Sequence, residues 1–74
     1  MKLSRDAAEL MMARAVQWNA AINETIREVE SLCTNEAEFK ALRRECGGVM
    51  AEILDRIVNP VIAQYPALKP KPMP

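Results

Sequence analysis

The chain contains no histidine and only three aromatic residues among its 74 residues. Histidine is the commonest general base and metal ligand, so its absence argues against both kinds of site. Glu24 and Glu28 share a helix face, but carboxylate metal sites in bundles also need Glu-x-x-His partners. We therefore expect no enzyme, no metal or cofactor site and no small-molecule substrate. The two glutamates fit a solvated face paired with Arg27 and basic residues of a second helix.

Glycine and cysteine are scarce, with two of each. Gly47 and Gly48 do not make a phosphate loop, because no strand precedes them and no Lys-Ser/Thr follows. Cys33 and Cys46 do not form a C-x-x-C pair and are too few for a zinc site. In a helical hairpin they would lie roughly 15 Å apart along the axis, beyond disulfide reach. We expect two free thiols, which fits a cytoplasmic protein.

Net charge and long hydrophobic runs are also missing. Ten basic and ten acidic residues give a formal charge of zero, so the chain has no overall field to attract nucleic acid or an anionic membrane. The longest uncharged run, residues 57–68, contains two prolines and is too short to span a bilayer. Charges near the N-terminus stand where a secretory signal needs apolar residues. We expect a cytoplasmic protein that does not bind membranes.

The sequence does contain two apolar stripes at helical spacing, separated by the polar break Thr34-Asn35-Glu36. Steps of three and four residues keep side chains on one face of an α-helix. Two such helices joined by a short turn form an antiparallel hairpin, an all-α fold, with the stripes facing each other. The first stripe is Met11, Ala15, Trp18, Ile22, Thr25, Val29 and Leu32, and the second is Phe39, Leu42, Cys46, Val49, Ile53 and Ile57.

Capping residues mark where both helices begin. Ser4 is a good N-cap, and the sequence predicts a first helix over residues 5–33. Asn35 followed by Glu38 resembles a capping box and predicts a second helix over residues 36–58. Thr34 is an alternative cap that would shift this start by one residue.

Two positions leave the course of the second helix open. Gly47 and Gly48 together cost about 2 kcal/mol of helix propensity, which would allow a break and a third helix. The apolar phase continues across them, so we predict one continuous helix. Pro60 should kink or stop that helix near Val58, and Asn59 as N-cap with Pro60 at the first helical position would start a short turn or helix over residues 60–65.

The prolines divide the chain into two parts. Residues 1–66 form the predicted hairpin domain. Residues 67–74 alternate proline with lysine and small apolar residues, which predicts an extended tail.

The apolar stripes broaden away from the turn, beyond what two helices can bury between them. A monomer would expose a large apolar patch, so we expect a homodimer with coiled-coil-like packing in a four-helix bundle, with another protein as the alternative partner. Methionines suit such an adaptable surface. The predicted interface residues are Met11, Met12, Val16, Trp18, Met50, Ile53, Leu54, Ile57 and Val61.

Trp18 occupies the first stripe, roughly opposite Met50 and Ala51 of the second helix and one turn from Gly47 and Gly48. We expect it to be largely buried and to pack over Gly47 and Gly48, with its indole N–H bonded to a carbonyl or amide. The competing interpretation makes Trp18 an exposed anchor for a partner.

These features predict a non-enzymatic interaction module: a small adaptor, chaperone or regulatory subunit that self-associates through its apolar helical surface. The alternative is a small RNA-binding helical-hairpin dimer. This alternative would use a cluster of basic residues near the turn. Neighbouring glutamates cancel much of the electrostatic field of that cluster, and no aromatic residue is interleaved for base stacking. We therefore do not expect nucleic-acid binding to be the main role. The residues of this alternative are Arg27, Lys40, Arg43 and Arg44.

Overall fold

The computed structural model describes residues 1–69, and this part of the chain is all-helical. Helix α1 spans Arg5–Glu30 and helix α2 spans Glu36–Ile53. A π-helical turn follows at Leu54–Val58, then helix α3 at Asn59–Gln64 and a 3-10 turn at Pro66–Leu68. The two long helices pack together as a hairpin, which confirms the predicted fold of the single chain.

Helix α1 begins at its predicted cap and ends earlier than predicted. The Ala7 backbone N–H donates to Ser4 Oγ over 3.3 Å, and Ser4 itself has extended backbone. The helix ends at Glu30 rather than at residue 33. Ser31 Oγ donates to the carbonyl of Glu28 over 3.0 Å, which satisfies a carbonyl that the next helical turn would have used.

Asn35 is the N-cap of α2, as the sequence predicts. Its Oδ1 accepts from the Glu38 backbone N–H over 2.9 Å. Glu38 reaches back in turn, and its Oε2 accepts from the Thr34 N–H over 2.9 Å and from the Thr34 hydroxyl over 2.6 Å. This reciprocal arrangement is a capping box displaced by one residue, so Thr34 supports the cap instead of replacing it.

Helix α2 runs through Gly47 and Gly48 without a break, which confirms the prediction of one continuous helix there. Neither glycine has a positive φ. A Cβ built on either one would meet no atom within 4 Å. The glycines therefore do not accommodate a close neighbour within this chain.

Pro60 does not stop the helical path near Val58. The Asn59 N–H bonds to the carbonyl of Leu54, five residues earlier, and this wider turn makes room for a ring that would crowd a normal α-helix. Asn59 has α-helical backbone and is not the N-cap that the sequence suggests. The path continues in α3 to Gln64, which matches the expected short helix around residues 60–65.

The first residues of the predicted tail belong to the 3-10 turn. Ala67 lies within that turn, and Leu68 packs against the hydrophobic core. Residues 70–74 lie outside the described residues, so an extended conformation there stays a prediction.

The hydrophobic core lies away from the turn, where the first half of α1 meets the π-helical turn and α3. We call this region, residues 3–15 and 53–68, the open end, and residues 23–45 the turn end. Helix α2 itself contributes no fully buried residue. Within residues 1–69 the buried side chains are Ala8, Met12, Ala15, Val58 and Val61.

Long-range hydrogen bonds close the open end. The Leu3 N–H donates to Gln64 Oε1 over 2.8 Å, and the Tyr65 hydroxyl donates to the Leu3 carbonyl over 2.8 Å. Gln64 Nε2 also donates to the Met1 carbonyl. The Arg5 guanidinium lies 5.8 Å from the centre of the Tyr65 ring, within cation–π range. These contacts hold the N-terminal segment against α3 and the residue that follows it.

Candidate interaction surface

The inward face of α1 is rotated from the predicted stripe by about one residue. Ala15, Ile22 and Val29 of that stripe do point inward, whereas Trp18 and Leu32 are exposed. Thr25 is exposed and Met11 is partly buried. The predicted stripe therefore straddles two neighbouring lines of the helix. The residues of reduced exposure along the inward line are Ala8, Met12, Ala15, Asn19, Ile22, Ile26 and Val29.

On α2 the predicted stripe is nearly correct. Phe39, Leu42, Cys46 and Ile53 all have reduced exposure. Val49 is the exception, because it is 54% exposed, and the adjacent Met50 is partly buried in its place.

Trp18 is not buried within the chain, so the expectation that it packs over the glycines is wrong for this structure. Its side chain is 41% exposed, and no atom lies within 4 Å of a Cβ placed on Gly47 or Gly48. The reason is the rotation of α1, which turns Asn19 rather than Trp18 toward the helix–helix contact. Asn19 Oδ1 is inaccessible to solvent and has no hydrogen-bond partner.

The predicted interface residues fall into three groups by exposure. Met12 and Val61 are buried inside the chain and offer no surface in this conformation. Val16, Trp18 and Leu54 are exposed. The partly buried members are Met11, Met50, Ile53 and Ile57.

Four further large apolar side chains are exposed and lie outside the predicted interface: Met1, Leu10, Leu32 and Val49. Leu10 stands within the broad apolar part of α1, and Val49 was assigned to the inward stripe. Their apolar character was visible in the sequence, but the side of the helix on which each one lies was not.

Val16 and Trp18, two exposed apolar side chains of α1, lie on opposite flanks of that helix. Successive residues of an α-helix are rotated by about 100°, so Val16 and Trp18 differ by roughly 200° around the axis. Both are exposed, and the inward line passes between them through Ala15 and Asn19. We call the two sides the Val16 flank and the Trp18 flank.

At the turn end, charged side chains pair only within their own helix. Arg27 Nη1 lies 3.7 Å from Glu24 Oε2, and Lys40 Nζ lies 3.2 Å from Glu36 Oε1. No ion pair joins the two helices among the residues that the structure describes. The expected pairing of the Glu24 and Glu28 face with basic residues of α2 is therefore wrong.

A groove of about 250 Å³ lies between the helices at the turn end. It brings together two members of the predicted basic cluster, Arg27 from α1 and Arg43 from α2. Lys40 and Arg44 are not among its lining residues. The groove is lined by Asn23, Ile26, Arg27, Glu30, Phe39 and Arg43.

Both cysteines are free, as expected. The pKa of Cys33 is raised above its usual value, first by partial desolvation and then by the carboxylates of Glu38 and Glu30. A raised pKa leaves less thiolate at neutral pH than an unperturbed cysteine has, which makes this thiol less nucleophilic than usual.

Residues 1–69 contain no group of three or more potential metal ligands close enough to hold an ion. No helix within the same range has the length and apolar character needed to cross a membrane.

Comparison with protein-family models, with curated proteins and with solved structures found no match to this chain.

Proposed function

We propose that this chain is a non-enzymatic interaction module that self-associates into a homodimer, forming a four-helix bundle in the cytoplasm. The observation that carries the proposal is the exposure of large apolar side chains on a chain whose own core is small. Trp18, Val16, Val49 and Leu54 are all more than 40% exposed, while five small or medium side chains make up the buried core of residues 1–69.

The dimensions of the chain support the proposal that a partner covers part of its surface. Its radius of gyration is 15.0 Å, whereas a compact domain of this length would have about 11 Å. Its accessible surface is 5821 Å², against about 4,600 Å² for a compact monomer of 8.3 kDa. The difference of about 1,200 Å² exceeds the roughly 800 Å² that each partner buries in a standard interface.

A second copy of the same chain is the partner that the chemistry favours. The formal net charge is zero, so two copies do not repel each other. Twofold dimers are also the commonest closed assemblies, and two hairpins packed side by side give a four-helix bundle. Packing through the Trp18 flank would cover the exposed ring of Trp18, which fits the interpretation of this residue as an interface anchor.

Sedimentation equilibrium at protein concentrations from about 1 to about 100 µM, which are on the order of usual protein–protein dissociation constants, tests this proposal. We expect a mass of twice 8.3 kDa at the upper end of the range. Trp18→Ser should weaken association by about tenfold or more while the helical circular dichroism is retained. Leu32→Ser is the matched control, because it removes an exposed apolar side chain from the turn and should leave the mass unchanged.

The fluorescence of Trp18, the single tryptophan, gives an independent readout. Emission should be red-shifted and quencher-accessible in the monomer and should shift to the blue as concentration rises. A monodisperse 8.3 kDa species with concentration-independent emission up to 100 µM would contradict the homodimer (the range again on the order of usual affinities).

RNA binding through the basic cluster finds less support. Arg27 and Lys40 each have a glutamate of their own helix as ion-pair partner, which reduces the field available to a phosphate backbone. Phe39 is partly buried and lines the same groove as Arg27 and Arg43, so only part of its ring is available for base stacking.

A further inference from the structure

We propose that the groove at the turn end binds a peptide segment in which carboxylates flank an apolar side chain. The chemistry of this groove differs from that of the proposed dimer surface. The dimer surface is apolar, whereas the groove combines guanidinium groups with an apolar floor. Its lining comes from both long helices, so it exists only in the folded hairpin.

The size of the groove limits its ligand. Its volume of about 250 Å³ is below the range of roughly 300–1,000 Å³ typical of drug-sized and cofactor pockets. Ile26 and Phe39, both partly buried, give it an apolar floor. A groove of this size and floor fits one apolar side chain of a longer segment rather than a whole cofactor.

The charges of the groove select carboxylates. Arg43 has no ion pair with any carboxylate among residues 1–69, and Arg27 has one with Glu24 at 3.7 Å. Glu24 offsets part of the charge of Arg27, so Arg43 is the principal anchor for a carboxylate and Arg27 is a secondary one. Guanidinium groups bind carboxylates through two parallel hydrogen bonds, which makes Arg27 and Arg43 suitable anchors.

Glu30 and Asn23 add hydrogen-bond acceptors to the groove. The Glu30 carboxylate and the Asn23 amide oxygen can each accept a hydrogen bond from a peptide N–H. A nucleic-acid backbone would need a longer track of cations, and Lys40 and Arg44 do not line the groove. The lining therefore favours a peptide.

Fluorescence anisotropy with a labelled Glu-Glu-Leu-Glu-Glu peptide, added to the full chain at low salt, tests this site. Arg43→Ala should weaken binding by about tenfold, because a charge-assisted contact is lost. Arg44→Ala is the matched control, since it removes the same charge from the next residue outside the groove and should change affinity less than about twofold. Arg43→Lys keeps the charge but loses the paired geometry and should give an intermediate loss.

Variant peptides test the two features of the proposed ligand, its apolar side chain and its flanking carboxylates. Replacing leucine by serine should remove the contact with Ile26 and Phe39, and replacing the glutamates by glutamines should remove the contact with the arginines. Equal losses for Arg43→Ala and Arg44→Ala, with circular dichroism unchanged, would overturn the proposal in favour of non-specific charge attraction. Tighter binding of labelled oligouridine, lost equally on replacing Arg27, Lys40, Arg43 or Arg44, would overturn it in favour of RNA. The oligomeric mass is measured on the same samples, so a loss of peptide binding can be distinguished from a change in self-association.

Discussion

The two ends of the hairpin are held together by different forces. At the open end, residues distant in sequence are packed into a core, and Gln64 and Tyr65 bond the backbone near the N-terminus. At the turn end no side chain of residues 23–45 is fully buried, and its hydrogen bonds and ion pairs join neighbours in sequence. The open end therefore depends on tertiary packing, whereas the turn end depends on capping and helix propensity.

This difference predicts unequal local stability. Regions with few buried apolar contacts open at lower free energy than the core. The turn end, which carries the groove, should exchange its amide hydrogens faster than the segment of α1 around Met12.

The largest effect is expected from truncation in the open-end core. Met12 is only 6% exposed. Met12→Ala should lower the free energy of unfolding by about 2–5 kcal/mol, because apolar burial is lost and a cavity remains. Leu42→Ala at the turn end should cost less than half as much, because Leu42 is only partly buried. Urea denaturation at one fixed protein concentration measures both. Equal losses would contradict the division into two differently stabilised ends.

The next effect concerns the hydrogen bond between the Tyr65 hydroxyl and the Leu3 carbonyl. Tyr65→Phe removes this 2.8 Å bond while keeping the ring near Arg5, and it should cost about 1 kcal/mol. Hydrogen exchange should show faster exchange at residues 3–8 and no change at residues 35–45. Uniform acceleration along the chain would show that the two ends are not separable.

Gly48→Ala should stabilise the chain by about 0.5–1 kcal/mol, because alanine has the higher helix propensity and the new methyl group meets no atom within 4 Å. Thermal melting at fixed concentration measures the gain. Sedimentation of the same variant sharpens the result: if the dimer weakens while the helix gains stability, then the second copy approaches α2 at Gly48.

The smallest effect is a pH dependence at the turn. The Thr34 hydroxyl and backbone N–H bonds hold the pKa of Glu38 below its ordinary value. A carboxylate with a lowered pKa in the folded state adds stability above its unfolded pKa, and this stability is lost as the pH falls below about 4. The stability difference between the wild type and Glu38→Gln should therefore be present at neutral pH and shrink on acidification.

Thr34→Val controls for this interpretation, since it removes the hydroxyl bond and leaves the backbone bond. It should reduce the pH dependence without abolishing it. A difference between the wild type and Glu38→Gln that stays constant from pH 7 to about pH 3 would contradict the role assigned to Glu38.

The features predicted correctly from the sequence are those set by local chemistry. Ser4 and Asn35 cap their helices because their side-chain oxygens accept from nearby backbone N–H groups. The apolar phase across Gly47 and Gly48 correctly indicated a continuous helix. The hairpin followed from two stripes and one polar break.

The features that the sequence could not establish depend on tertiary packing. Apolar residues at steps of three and four fit two orientations of α1, which differ by a small rotation about the helix axis. In one orientation Trp18 faces the second helix, and in the other Asn19 does. The sequence therefore does not establish whether Trp18 is buried. The effect of Pro60 depended on a widened turn at Leu54–Val58, which no residue type signals. The groove joins Arg27 and Arg43 from different helices, and only the axial alignment of the helices brings these residues together.

The amide of Gln64 imitates a peptide group of a neighbouring β-strand. Its oxygen accepts from the backbone at Leu3 and its nitrogen donates to the backbone at Met1, so the N-terminal segment is held by its main chain. Main-chain recognition is indifferent to side-chain identity, and Met1 and Lys2 are both exposed. Sequence tolerance at this contact should thus be one-sided: residues 1 and 2 can vary freely, while position 64 must keep an amide.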